Sequence, residues 1–124
     1  MHPDRILLFV GGLSGAAGVA LSAAAAHMGG GNVQTAASFL LMHAPVFLAI
    51  GLGADRFAGR TVLRVAGFVL AIGLLLFAGD LLARVYLENR LFPMAAPFGG
   101  MLLIAGWLIV MLAAVWRRKQ ADPR

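Results

Sequence analysis

The chain contains no cysteine. That absence excludes disulfides, thiol catalysis, cysteine-ligated zinc and iron–sulfur clusters. Charge is also scarce: only 12% of the 124 residues are Asp, Glu, Lys or Arg, while 61% are hydrophobic. A soluble domain carries roughly 25% charged residues, and a chain this short with so few polar side chains cannot cover a small water-facing surface. Lipid removes that difficulty by solvating an apolar exterior. Period-two alternation is missing as well, so a transmembrane barrel is not supported. No internal repeat or linker interrupts the chain, which reads as a single transmembrane domain over residues 1–124.

What the sequence does have is four long apolar runs, at about residues 6–26, 36–54, 62–86 and 98–116. Crossing the hydrocarbon takes roughly 17–25 residues of helix, and each run is long enough. Backbone groups in lipid must bond within their own segment, so each run is read as a helix. The connections are short, which forces successive helices to run antiparallel. The expected fold class is therefore all-α: a polytopic membrane protein built as an antiparallel four-helix transmembrane bundle. Residues 28–35 contain Gly29, Gly30 and Gly31 and are expected to be non-helical. Residues 55–61 are polar and basic. Residues 88–97 contain Pro93 and Pro97, both helix breakers, and are apolar enough to lie in the interface or over the mouth of the bundle. Ala23–Ala26 has the small residues of a cleavage site, but the run before it is too long for a signal peptide, so it is read as a retained span.

Ten Lys and Arg stand against five Asp and Glu, a net charge of +5. The basic residues sit beside the apolar runs, so nucleic acid is not an expected partner. With four spans, Arg5, Arg56, Arg60, Arg64, Arg117, Arg118, Lys119 and Arg124 share one side, and Arg84 and Arg90 share the other. The excess of positive charge predicts that both ends are cytoplasmic, with Arg117, Arg118 and Lys119 as a stop-transfer anchor and Trp116 as an interfacial one.

Gly11, Gly15, Gly18 and Ser22 form a small-residue stripe on the first helix, the pattern that lets two helix backbones approach closely. Packing inside the bundle is its expected use. Gly67, Ala71, Leu75, Ala78 and Gly79 give the third helix a partly similar face.

Polar side chains in the spans are few, and in lipid such groups turn inward. Counted from the ends of the apolar runs, His43 and Asp80 each lie about 12 Å deep. Ser22 and Trp107 fall near that level, so the four are expected to form one polar layer. Two readings follow. His43 and Asp80 could form a proton- or cation-responsive site, since histidine titrates near neutral pH. Alternatively, Arg84, four residues on, pairs with Asp80, and Asp80 bonds to His43 in a purely structural role, which is the favoured reading. Pro45 is expected to bend the second helix and free the Leu41 carbonyl. His27 and His43 lack a third ligand, so no metal is expected, and His2 belongs to the opposite face. Ser14, Ser22, Ser38 and Thr35 have no triad context, so neither catalysis nor a cofactor is expected.

The segment from Gly15 to His27, together with His43-Ala44, Phe77-Ala78-Gly79, Pro97-Phe98-Gly99-Gly100 and Gly106-Trp107, resembles a small family of four-span membrane proteins. That family is catalogued as a domain of unknown function, number 423, and includes relatives of transmembrane protein 256. The resemblance covers about residues 12–114. It implies four spans in a bacterial inner membrane and singles out His27, His43, Pro97, Gly99, Gly100, Gly106 and Trp107. It implies no activity, cofactor or catalytic residue. Asp80 stands where many members carry serine. The function expected is that of a non-enzymatic integral membrane protein acting through packing with lipids, with a second copy of itself or within a larger membrane complex. The alternative is a small proton- or cation-coupled transporter or channel subunit using Asp80 and His43.

Overall fold

The structure, a computed structural model, describes residues 3–116. The basic cluster Arg117, Arg118 and Lys119, Arg124, and His2 lie outside the described residues. The chain forms four long helices: α1 (Arg5–Met28), α2 (Gly31–Gly53), α3 (Arg60–Tyr86) and α4 (Ala95–Val115), with a single 3-10 turn at Ala54–Arg56. All four are long and apolar enough to cross a membrane. No strand occurs among the described residues.

The helices extend past the apolar runs, mostly at the ends away from the chain termini. Between α1 and α2 only Gly29 and Gly30 remain non-helical. Their φ values of 70° and 108° supply the left-handed backbone that reverses the chain, and the Gly29 N–H bonds to the Ala25 carbonyl at 2.9 Å to close α1. Gly31 is thus helical after all. Hydropathy marks where lipid begins, whereas a helix starts wherever its first N–H groups can reach water. At the other connection α4 begins at Ala95, so Pro97 falls in its first turn, where the missing N–H has no helical partner to lose.

The helices form two antiparallel hairpins, α1–α2 and α3–α4, joined along α2 and α3. Leu7, Ala36, Phe47, Ile50, Leu70, Leu74, Ala78, Leu81 and Leu103 make the core. α1 meets α3 sparingly, and near the face that carries the chain termini Leu7 and Ile50 fill the space over Gly67. α4 packs its backbone against α3 and reaches α2 through side chains.

Lipid tails are as apolar as leucine, so close packing rather than water exclusion holds such helices together. The α1 stripe lies against α2. A Cβ on Gly18 would sit 2.7 Å from Leu41 Cγ, and one on Gly11 would sit 2.9 Å from Leu48 Cδ2. The α3–α4 contact is tighter still: a Cβ on Gly99 would meet the Phe77 amide and come within 2.7 Å of the Gly73 carbonyl. Gly106 receives the Leu70 side chain in the same interface.

The terminal face is tied by charge. Asp4 caps α1, accepting the N–H groups of Ile6 and Leu7 at 3.1 Å each. Its own N–H donates to the Gly51 carbonyl at 2.8 Å. Arg64 lies 4.0 Å from Asp4 and also pairs with Asp55, linking α1, the 3-10 turn and α3.

Candidate functional site

The expected single polar layer divides into two levels. α2 starts five residues before the second apolar run, so His43 lies twelve residues in, about 18 Å from the helix end. Trp107 is also twelve residues into α4 and shares that depth. Asp80 and Ser22 lie six residues from the ends of α3 and α1, about 9 Å deep. The Phe39 and Phe77 rings meet with centroids 4.6 Å apart and mark a common level. His43 is one turn to one side of it and Asp80 three residues to the other, about 10 Å apart along the axis. The bond expected between Asp80 and His43 is therefore not formed.

His43 is buried at the middle of α2, with the rings of Phe39, Phe47 and Trp107 around it at centroid distances of 6.1, 6.4 and 5.8 Å. Its Nδ1 lies 2.7 Å from the Phe39 carbonyl oxygen, and Trp107 Nε1–H donates to Nε2 at 3.3 Å. A carbonyl only accepts and an indole only donates. The two partners together select the tautomer in which Nδ1–H donates and Nε2 accepts. Trp107, expected to be buried, keeps 40% of its surface exposed and bridges from α4 to α2.

Asp80 is completely buried near the opposite end of α3 from the termini. Arg84 Nη2 donates to Oδ2 at 2.8 Å, and the Leu91 N–H donates to Oδ1 at 3.0 Å. Leu91 stands four residues before the start of α4, so this bond ties the approach to α4 to α3. α4 has no local side-chain cap. Its Ala95 N–H goes to Phe92, Phe98 N–H to Met94, and Pro97 has none. Asp80 thus acts as a cap supplied from a neighbouring helix, with negative charge at the positive end of the α4 dipole. It draws Leu91 back over Gly79, where a Cβ would lie 3.4 Å from Leu91 Cδ1.

Ser22 is half-buried and bonds to neither group. Ser14, weighed from the sequence only as a nucleophile without triad context and not placed in the polar layer, is buried, and its hydroxyl donates to the Leu40 carbonyl at 2.6 Å. That carbonyl neighbours the Leu41 carbonyl expected to be freed by Pro45, and the position of Ser14 on the glycine stripe is the signal that could have pointed to it. His27 is exposed at the end of α1. Among the described residues no three His, Asp or Glu side chains gather as a metal site.

Four helices able to cross a bilayer, an apolar exterior and a few internally bonded polar groups define an integral membrane protein of the small polytopic helical class. The chain belongs to the family described as "Protein of unknown function (DUF423)", whose model matches residues 14–100. It is similar to the UPF0382 membrane protein YwdK of Bacillus subtilis, with 24% identity over 90% of this chain and 97% of that protein. It is also similar to the UPF0382 inner membrane protein YgdD of Escherichia coli K12, with 29% identity over 90% and 91%. A UPF0382 membrane protein of Staphylococcus epidermidis is 31% identical over 66% of each chain. No solved structure matches the chain. Of the residues that the resemblance singled out, all but the exposed His27 have physical work in this fold: Gly99 and Gly106 permit the α3–α4 approach, Gly100 lies beside the Phe77 ring, Pro97 falls in the first turn of α4, and His43 and Trp107 bond across the core.

Proposed function

We propose that this protein is a non-enzymatic component of the bacterial inner membrane, with both termini cytoplasmic, that acts by lateral association with a second copy or within a larger membrane complex. The observation that carries the reading is that the buried polar side chains Ser14, His43 and Asp80 are all used inside the fold. What the spans offer outward is apolar shape. Part of that shape is a groove of about 310 Å³ where α1 and α3 diverge, lined by Leu13, Ala17, Leu21, Ala71, Leu75 and Ala78. Small residues in a concave lipid-facing surface suit a helix from another chain. Arg5, Arg56, Arg60 and Arg64 on the terminal face against Arg84 and Arg90 opposite support the orientation, and the name of the similar YgdD supports the membrane.

Native mass spectrometry of protein extracted gently from its own membrane tests the association. A defined oligomer or complex is expected, reduced to folded monomer by Ala17→Phe, which fills the groove. Wild-type protein found only as a monomer sinks the reading. The cysteine-free chain makes orientation simple to test. In whole cells an impermeant maleimide should label Asn32→Cys and spare Ala58→Cys, and the reverse pattern overturns the topology.

A further inference from the structure

Beyond the end of α3 the connection to α4 folds into a cup separate from the lateral groove. It encloses about 670 Å³ and is lined by Arg84, Glu88, Asn89 and Arg90, with Leu91 and Phe92 on its apolar side. The cup has a fixed shape because Asp80 holds the Leu91 amide and Glu88 is held at a φ of 55°, a left-handed conformation that a side chain rarely adopts.

The donors in the cup are incompletely used. A guanidinium has five N–H donors. Arg84 gives one through Nη2 to Asp80, while its Nε is buried and has no hydrogen-bond partner. A buried N–H without an acceptor is unfavourable, and a guanidinium edge matches the oxygens of a phosphate. Arg90 lies exposed on the same wall.

The charges specify the ligand further. Arg84 and Arg90 bring two positive charges, Asp80 behind the wall offsets one, and Glu88 on the rim offsets the other. A balanced set of this kind favours a zwitterion over a bare anion. The cup also lies where α3 leaves its apolar span, and Leu91 and Phe92 remain 49% and 44% exposed beside it. A ligand with a charged head and apolar chains meets both surfaces at once.

We propose that the cup binds the headgroup of an aminophospholipid, with the phosphate on the Arg84 and Arg90 guanidinium groups and the primary amine on Glu88. The chemistry recognised is a phosphate ester carrying an amine. Soluble phosphoethanolamine shares it, and the apolar wall favours the lipid source.

The test is native mass spectrometry of the full chain, stripped in a delipidating detergent and titrated with four probes. They are dimyristoyl phosphatidylethanolamine, dimyristoyl phosphatidylglycerol, dimyristoylglycerol and O-phosphoethanolamine. Phosphatidylethanolamine should bind most tightly and dimyristoylglycerol least. Arg90→Gln and Glu88→Gln leave the Asp80–Arg84 pair intact, and circular dichroism confirms that each folds. Arg90→Gln should weaken phosphatidylethanolamine binding about tenfold, the scale of one charge-assisted bond. Glu88→Gln should remove the preference over phosphatidylglycerol. Equal retention of dimyristoylglycerol, or unchanged binding in Arg90→Gln, overturns the site. Binding of O-phosphoethanolamine as tight as that of the lipid overturns the lipid source.

Discussion

Replacing Asp80 by alanine should release the amino end of α4 while leaving the α1–α2 hairpin in place. The carboxylate is fully buried and accepts from two donors, Arg84 Nη2 and the Leu91 N–H, close to the amino end of α4. Removing one partner of a buried ion pair costs about 3–5 kcal/mol. Two features reduce that figure. The Arg84 side chain keeps 30% of its surface exposed and can turn toward the interface. Polar contacts between membrane helices also average only about 0.6 kcal/mol in double-mutant cycles, because the unfolded state in lipid finds partners as well. The expected loss is therefore about 2–3 kcal/mol for Asp80→Ala. Asp80→Asn keeps an acceptor for Leu91 and loses only the charge, so about 1–2 kcal/mol is expected. Hydrogen exchange in detergent micelles gives a local readout. Amides across residues 87–96 should exchange at least tenfold faster in Asp80→Ala, since 1.4 kcal/mol is a factor of about ten in opening. Amides of α1 and α2 should keep their wild-type rates. Combining Asp80→Asn with Arg84→Gln removes the unpaired charge, so the double variant should be more stable than the sum of the single losses by about 1 kcal/mol. Unchanged exchange over 87–96 in Asp80→Ala, or strict additivity in the cycle, would refute the capping role.

Glycine positions should separate sharply by what their Cβ would meet. Gly99→Ala drives a methyl group into the α3 backbone at Phe77 and Gly73, which cannot move without parting the helices, so a loss of about 1–3 kcal/mol in thermal or denaturant unfolding is expected. Gly15→Ala meets only the Ala44 methyl at 3.6 Å and should be nearly neutral; equal effects at the two sites would contradict the packing described. Trp107→Phe keeps the ring against His43 and removes its donor, with an expected loss of about 1 kcal/mol. In nitrogen-15 spectra of labelled protein the His43 Nε2 resonance should shift while Nδ1 remains protonated, and an unmoved Nε2 signal would count against the bond.

The sequence by itself determined the number and nature of the spans, because crossing hydrocarbon requires a length of apolar helix that can be counted residue by residue. It also marked the stripe of Gly11, Gly15 and Gly18, the i,i+4 pairing of Asp80 with Arg84, and the family, since each depends on local spacing or motif order. The tertiary structure decided depth and rotation. Gly31 to Thr35 are all polar or small except Val33, so hydropathy places them outside the span, yet they are helical, and this carries His43 to mid-helix beside Trp107 rather than beside Asp80. The backbone partner of Asp80 was equally hidden in the sequence. The Leu91 N–H carries no side-chain signature and reaches the carboxylate only because the connection folds back over Gly79. Ser14 was left out of the polar layer for the same reason: its acceptor is a backbone carbonyl on another helix, brought within 2.6 Å by the close approach that the neighbouring glycines allow.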